Sequence, residues 1–334
     1  MRPPRRLLPA LAAAGLAWPA AAASPPSLGT GDLLCGDEAA ILSFAVLGVP
    51  PDAHPLAVAK RGERIWLLFS PGRLVRVDRR GTAVDLTTGT AEKGETWSAM
   101  TLDPVDGSLW VASGDRSTLH RFGAEAADVK PQSVKIQAEN APAAAGGVLD
   151  LAAAPDALYL VPSRHPDTVW RVGRDGRLLS VEFPRSAAAF SFRPLGRSPS
   201  PRPVRLARDR EGAVLAWLPR SGQVYRALPG GGWAEIDASP FRFETAPAGA
   251  KLFYWKGTPV FLGASEAAGQ GDAGALGSRL HFPEGRDLFE ICHGWRIADL
   301  AADDSGYAVL TDKGLVLGEF AAPPAPVPPP EGKP

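Results

Sequence analysis

Cysteine, methionine, tyrosine and asparagine are all scarce in this chain: two, two, four and one residue among 334. Two cysteines are too few for a disulfide-dense small scaffold or a cysteine-rich metal site. The apolar run near the start, Leu7–Trp18, is short and broken by proline, so no helical membrane span is expected. Charge of one sign is missing as well. The 36 Lys and Arg balance 36 Asp and Glu, which gives no reason to expect nucleic acid or an anionic membrane as partner. No H-E-x-x-H, G-x-S-x-G or phosphate-loop spacing is present, and no sustained 3.6-residue periodicity runs through the body.

What is there begins with an address. "MRPPRR" is a basic stretch, "LLPALAAAGLAW" an apolar one, and Ala21-Ala22-Ala23 before Ser24 reads as a cleavage site. Residues 1–23 are therefore expected to be a signal peptide and 24–32 a linker. The protein is expected to be bacterial, and periplasmic or secreted. Leu34 before Cys35 argues against lipid attachment there. In an oxidising compartment Cys35 and Cys292 are expected to form one disulfide. Their places in the repeat, derived next, conflict with that pairing unless the segment after Cys35 runs back along a sheet, because a five-residue strand spans about 17 Å and a disulfide needs Cα atoms about 6 Å apart.

The body repeats itself. "GRLVRVDRRG" (72–81), "STLHRFG" (117–123), "TVWRVGRDG" (168–176) and "GQVYRAL" (222–228) share an aliphatic residue, a variable one and an arginine. The anchors Leu74, Leu119, Val169 and Val224 lie 45, 50 and 55 residues apart, a period typical of propellers and solenoids. Arg76, Arg121, Arg171 and Arg226 are read as structural, each needing a carboxylate or carbonyl partner between packed sheets. Upstream of each copy a Gly or Asp turn leads into an apolar strand, as in "RGERIWLLF" (61–69) and "VDGSLWVAS" (105–113). Similar strands at 155–163, 210–218, 255–263 and 304–312 make six units. The first unit predicts strands at about 56–60, 64–69, 73–78 and 82–87. The sixth supplies three (297–303, 307–311, 314–319) before a proline-rich tail that cannot enter a sheet. Its fourth is expected from the other end of the chain, at 39–48. The expectation is an all-β, six-bladed β-propeller over residues 33–320, closed by an N-terminal strand and followed by a disordered tail at 321–334.

The stretch "MTLDPVDGSLWVASGDRSTLHRF" (100–122) resembles NHL-type propeller repeats and the related regucalcin/gluconolactonase-like propellers. The resemblance covers nearly all of the body at the level of the repeat and implies a propeller fold. Some members use a central-channel cation to activate substrate or water.

Strand direction sorts the connections onto two faces. One carries short turns, such as Asp106-Gly107 and Glu211-Gly212. The other (the top) carries 88–96, 138–147, 184–203 and 263–278, and binding is expected there. The candidate residues are Glu95, Asp150, Arg164, His165, Arg205, His293, Trp295 and Asp299. Asp150 in "VLDLA" and Asp299 in "IADLA" take equivalent places on opposite units, so they are the candidates for Ca²⁺ or another divalent cation. Arg205 and Lys251 would oppose that cation. The single asparagine, Asn140, sits in a loop, whereas the resemblance implies an asparagine ligand. A salt-bridged ring without cofactor is the first expectation. The arginine-rich segment 183–208, with Arg185, Arg193, Arg197, Arg202, Arg205 and Arg208, reads either as a cationic lip or as a solvated loop. His120 reads as packing. The functional expectation is an exported, monomeric, non-enzymatic propeller that binds a protein, peptide or glycan in the cell envelope. The alternative is a metal-dependent lactonase-like hydrolase.

Overall fold

The computed structural model describes residues 40–78, 80–87, 95–124, 131–137, 146–184, 203–209, 211–218, 223–238, 251–255, 258–264, 278–281, 287–288 and 297–319. The expected signal peptide, linker and tail lie outside the described residues, as do Cys35, Cys292, His293 and Trp295.

The chain opens with β1 (Ala40–Ser43). The first sheet follows as β2 (His54–Arg61), β3 (Arg64–Ser70), β4 (Arg73–Asp78) and β5 (Ala83–Asp85). The second is β6 (Trp97–Leu102), β7 (Leu109–Ser113), β8 (Thr118–Phe122) and β9 (Gln132–Lys135). The third is β10 (Val148–Ala153), β11 (Leu158–Pro162), β12 (Val169–Val172) and β13 (Leu178–Glu182). The fourth is β14 (Arg205–Arg208), β15 (Val214–Leu218), β16 (Gln223–Ala227) and β17 (Trp233–Ala238). The fifth is β18 (Lys251–Trp255), β19 (Thr258–Ala264), β20 (Ser278–His281) and β21 (Asp287–Leu288). The last sheet joins β22 (Ile297–Asp303), β23 (Gly306–Thr311) and β24 (Gly314–Glu319) to β1.

Five of these four-stranded sheets are thus consecutive antiparallel meanders and one is composite. In the composite sheet Ala40 pairs with Leu317 and Ser43 with Gly314. Inner strands touch in the order β2, β6, β10, β14, β18, β22, and β22 lies against β2. The architecture is an all-β β-propeller. β1 is shorter than the strand expected at 39–48. After Ser43 the chain turns, with Leu47 N–H donating to Ser43 O (3.1 Å) and Val49 N–H to Phe44 O (2.9 Å). The turn is favoured because it buries Leu47 and Val49 against Leu67, Phe69 and Leu310.

Apolar residues on both strand faces follow from the sandwiching of sheets. β7, β11 and β23 are buried throughout. Trp110 and Trp170 share one inter-sheet core with Leu119, Val148 and Leu160. Trp66 and Trp97 share another with Leu68 and Leu74. Each such fully buried large side chain contributes about 1.5–3 kcal/mol.

The repeating arginine now has its explanation. Arg76, Arg121, Arg171 and Arg226 stand directly opposite Trp66, Trp110, Tyr159 and Leu215 on the neighbouring strand. Three of the four reach acids in the preceding turn: Arg121 pairs with Asp106, Arg171 with Asp156 (2.6 Å), and Arg226 with Asp209 (2.8 Å) and Glu211. The Arg121 guanidinium also lies 5.5 Å from the Trp110 ring centre. The arginine covers an apolar strand with its stem and fastens the bottom turn with its head.

Candidate functional site

The inner strands carry a shared irregularity. Register shifts fall between Pro55 and Ala57, Trp97 and Ala99, Val148 and Asp150, and Ile297 and Asp299. Asp150 and Asp299 each follow the bulge directly, so the equivalence expected from sequence holds. Each carboxylate also does the same work, accepting a backbone N–H from the next inner strand. Asp150 Oδ2 accepts Leu206 N–H (2.9 Å), and Asp299 Oδ2 accepts Val58 N–H (2.7 Å). Leu206 follows Arg205 as Val58 follows Ala57, which places Arg205 at the corresponding level of β14. Lys251, opening β18, lies 3.3 Å from Asp299 Oδ1, and its ammonium also donates to Leu56 O on β2.

These side chains enclose an axial cavity of about 220 Å³ lined by all six inner strands. Asp150, Arg205, Lys251 and Asp299 sit toward the starts of their strands. Lys60 and Arg208 sit toward the other end, and Met100, Leu151 and Leu206 lie between. Burial pushes the carboxyls of Asp150 and Asp299 above the ordinary range. Arg205, then Leu206 N–H and Lys251, pull Asp150 back, and Lys251 leads the same effect for Asp299, without cancelling the shift.

The donor set does not fit a resident divalent cation. Asp299 spends one oxygen on Val58 N–H and the other on Lys251, and Asp150 spends its two on Leu206 N–H and Leu151 N–H. Two cationic side chains stand at the same level. Among the described residues no three His, Cys, Asp or Glu side chains cluster as metal ligands.

The structure separates Glu95 from this group. Its Oε1 lies 2.8 Å from His120 Nε2, buried within the second sheet, while His120 Nδ1 lies 3.1 Å from Ser133 Oγ. Sequence position alone put Glu95 at the channel mouth, but the burial of His120 on β8 draws the carboxylate inward, and Glu95 is only 4% exposed. His120 packs, as expected, against Trp97 (5.7 Å between rings). The Ser133–His120–Glu95 chain has the order of a nucleophilic triad, but its serine sits on the outer strand β9, away from the inner strands that line the axial cavity.

Arg164 is exposed and His165 half-buried in the connection between β11 and β12. Val204 N–H donates to Pro166 O (2.7 Å), tying that connection to the residue before Arg205. Arg205 and Arg208 belong to an inner strand and line the cavity, so neither is part of a cationic lip. Arg185, Arg193, Arg197 and Arg202 lie outside the described residues. Among the described residues, no helix is long and apolar enough to cross a membrane.

The fold and channel define the class, a β-propeller with a charged axial cavity. No family model matches the chain, and no curated protein does. Solved structures do. A protein described as a putative gluconolactonase is 12% identical, with a TM-score of 0.55 over 86% of this chain and 93% of that one. A protein of unknown function from Bacteroides thetaiotaomicron is 11% identical, TM-score 0.53, over 84% and 75%. YCF48 bound to D1 peptide is 11% identical, TM-score 0.50, over 86% and 97%. At these identities the likeness is one of fold.

Proposed function

We propose that this is an exported, non-enzymatic propeller that binds a protein, peptide or glycan partner through its top face, as one six-bladed ring sealed by β1. The observation that carries the reading is the contrast between the two faces. The bottom turns are fastened by their own acids. Asp103 accepts Val105 N–H (2.9 Å), Asp209 accepts Ala213 N–H (2.8 Å), and Asp303 accepts Ser305 N–H (2.9 Å) and Gly62 N–H of the next sheet (2.6 Å). The longest connections, including that from Glu182 to Arg205, lie at the other face, beside short ones such as that from Ser70 to Arg73. A fixed base with elaborated loops opposite is the usual arrangement of a binding scaffold. A propeller of similar fold is known with a peptide bound, in keeping with this reading.

The rival is a metal-dependent hydrolase using Asp150 and Asp299. Metal analysis of the purified protein, followed by a lactone and phosphotriester panel, separates the two. Stoichiometric Ca²⁺ or Zn²⁺, with turnover abolished by Asp150→Ala, would overturn the binding reading. Absence of turnover under metal-replete conditions supports it.

A further inference from the structure

The geometry points to a second, unassigned site: the lower part of the axial cavity binds a small carboxylate, seated on Arg208. Arg208 closes β14 and lines the cavity. Its Nη1 donates to Leu102 O on β6 (3.0 Å), and among the described residues no carboxylate lies within ion-pair reach of it.

The acids around it are already committed. Asp103 accepts Arg174 Nε (2.7 Å) and Nη2 (2.8 Å) together with Trp110 Nε1 (3.1 Å). Asp209 accepts Arg226 Nε (2.8 Å) and Ala213 N–H (2.8 Å). The other lower cation, Lys60, is paired with Asp303 at 2.5 Å. Arg208 is therefore a half-buried guanidinium without a counterion, and a charge in that position is costly until an anion meets it. Burial holds its pKa below the usual arginine range; Asp103 and Asp209 pull it back from a distance without cancelling the shift, and Arg61 adds to it.

Charge and shape select the ligand. With Lys60 neutralised by Asp303, Arg205, Arg208 and Lys251 still outnumber Asp150 and Asp299 in the cavity wall by one charge, so the space favours an anion. A guanidinium fork matches a carboxylate with two parallel hydrogen bonds. Met100, Leu151 and Leu206 border the cavity, but their side chains are buried in the cores between sheets, so charge does the selecting: one unpaired guanidinium balances a monovalent carboxylate, whereas divalent inorganic phosphate would bring a second charge to bury. The volume of about 220 Å³ is below that of pockets for drug-sized ligands, roughly 300–1,000 Å³, and calls for a ligand of a few heavy atoms. The carboxylate could arrive as a free acid or as a peptide C-terminus. The site does not depend on the top-face reading, and either can fail alone.

Calorimetric titration of the full mature protein tests it, with butyrate, its neutral isostere butyramide, inorganic phosphate, and a tripeptide as free acid and as amide. Butyrate or the tripeptide acid should bind, their neutral counterparts should not, and phosphate should be at least tenfold weaker. Arg208→Met should weaken carboxylate binding at least tenfold, with Arg208→Lys between the two. Without ligand, Arg208→Met should melt at or above the wild-type temperature, because an unpaired charge has been removed. It should also lose the rise in melting temperature that the carboxylate gives the wild type. A tripeptide acid tighter than butyrate assigns the source to a chain end, and the reverse to a free acid. Absence of binding by every carboxylate, undiminished binding by Arg208→Met, or a ligand-free Arg208→Met that melts several degrees low would overturn the proposal. Should Arg208→Met not fold, the same titration of Arg208→Lys decides, unchanged affinity being the refuting result.

Discussion

Arg174→Ala tests how neighbouring sheets are held together. Arg174 lies between β12 and β13, yet it grips Asp103 at the end of β6 through two hydrogen bonds of 2.7 and 2.8 Å, while Nη2 also donates to Ala154 O (2.8 Å). Asp103 is 1% exposed. Burial acts to raise its pKa, but Arg174, Val105 N–H and Trp110 Nε1 outweigh it and hold the carboxyl below its ordinary 3.8. Removing one partner of a buried pair typically costs about 3–5 kcal/mol. The Val105 and Trp110 donors survive and Arg174 is a quarter exposed, so the lower end, about 3 kcal/mol, is expected. In a domain of this size that is a fall in melting temperature of roughly 5 °C.

The pH dependence fixes the cause. A carboxyl whose pKa is depressed on folding stabilises above its ordinary value and loses that contribution as pH falls through the folded value. The gap between wild type and Arg174→Ala, followed by thermal unfolding from pH 7 downward, should therefore narrow below about pH 4. Adding Asp103→Asn to the variant should recover part of the loss at pH 7. A gap that stays constant with pH, or a loss under about 1 kcal/mol, would refute the reasoning.

Further expectations concern the channel and the ends of the chain. Asp150 is raised by burial, so its contribution is greatest when protonated and is lost as pH rises through the folded value. Asp150→Asn should flatten the decline in melting temperature from pH 4 toward neutrality, and an unchanged profile would contradict this. Deleting residues 33–48 should abolish a single cooperative unfolding transition, because the β22–β24 sheet would lose the strand that pairs Ala40–Ser43 with Gly314–Leu317. A truncated chain that melts like the mature protein would show that β1 does not seal the ring. Thiol titration of the unfolded, unreduced protein should find no free thiol if Cys35 and Cys292 are bonded, and two free thiols would end that claim.

The parts that were legible in the sequence are the local and periodic ones. Strands in the first unit read at 64–69 and 73–78 appear at Arg64–Ser70 and Arg73–Asp78, because Gly-centred turns and apolar runs mark them. The place of Asp150 and Asp299 was legible through their common distance from the turns. Glu95 was misplaced because its partner, His120, is 25 residues away on a different strand. Arg174 and Asp103 are 71 residues apart, and Arg208 reaches Leu102 across 106. Such contacts are set by the packing of sheets around the axis, and no short spacing records them. Arg208 was read as one charge in a basic run. A signal was available, since it stands at the end of the short strand that also carries Arg205.

The most direct test of the binding reading is site-specific photocrosslinking in intact cells of the source organism. A crosslinking residue placed at Arg164 or His165 samples the top face, and one at Glu211 or Asp304 samples the bottom turns. Adducts of a discrete partner from the two top positions, with none from the bottom ones, are the expected result. Adducts confined to the bottom positions, or none from any position in a protein that turns over a lactone, would contradict it.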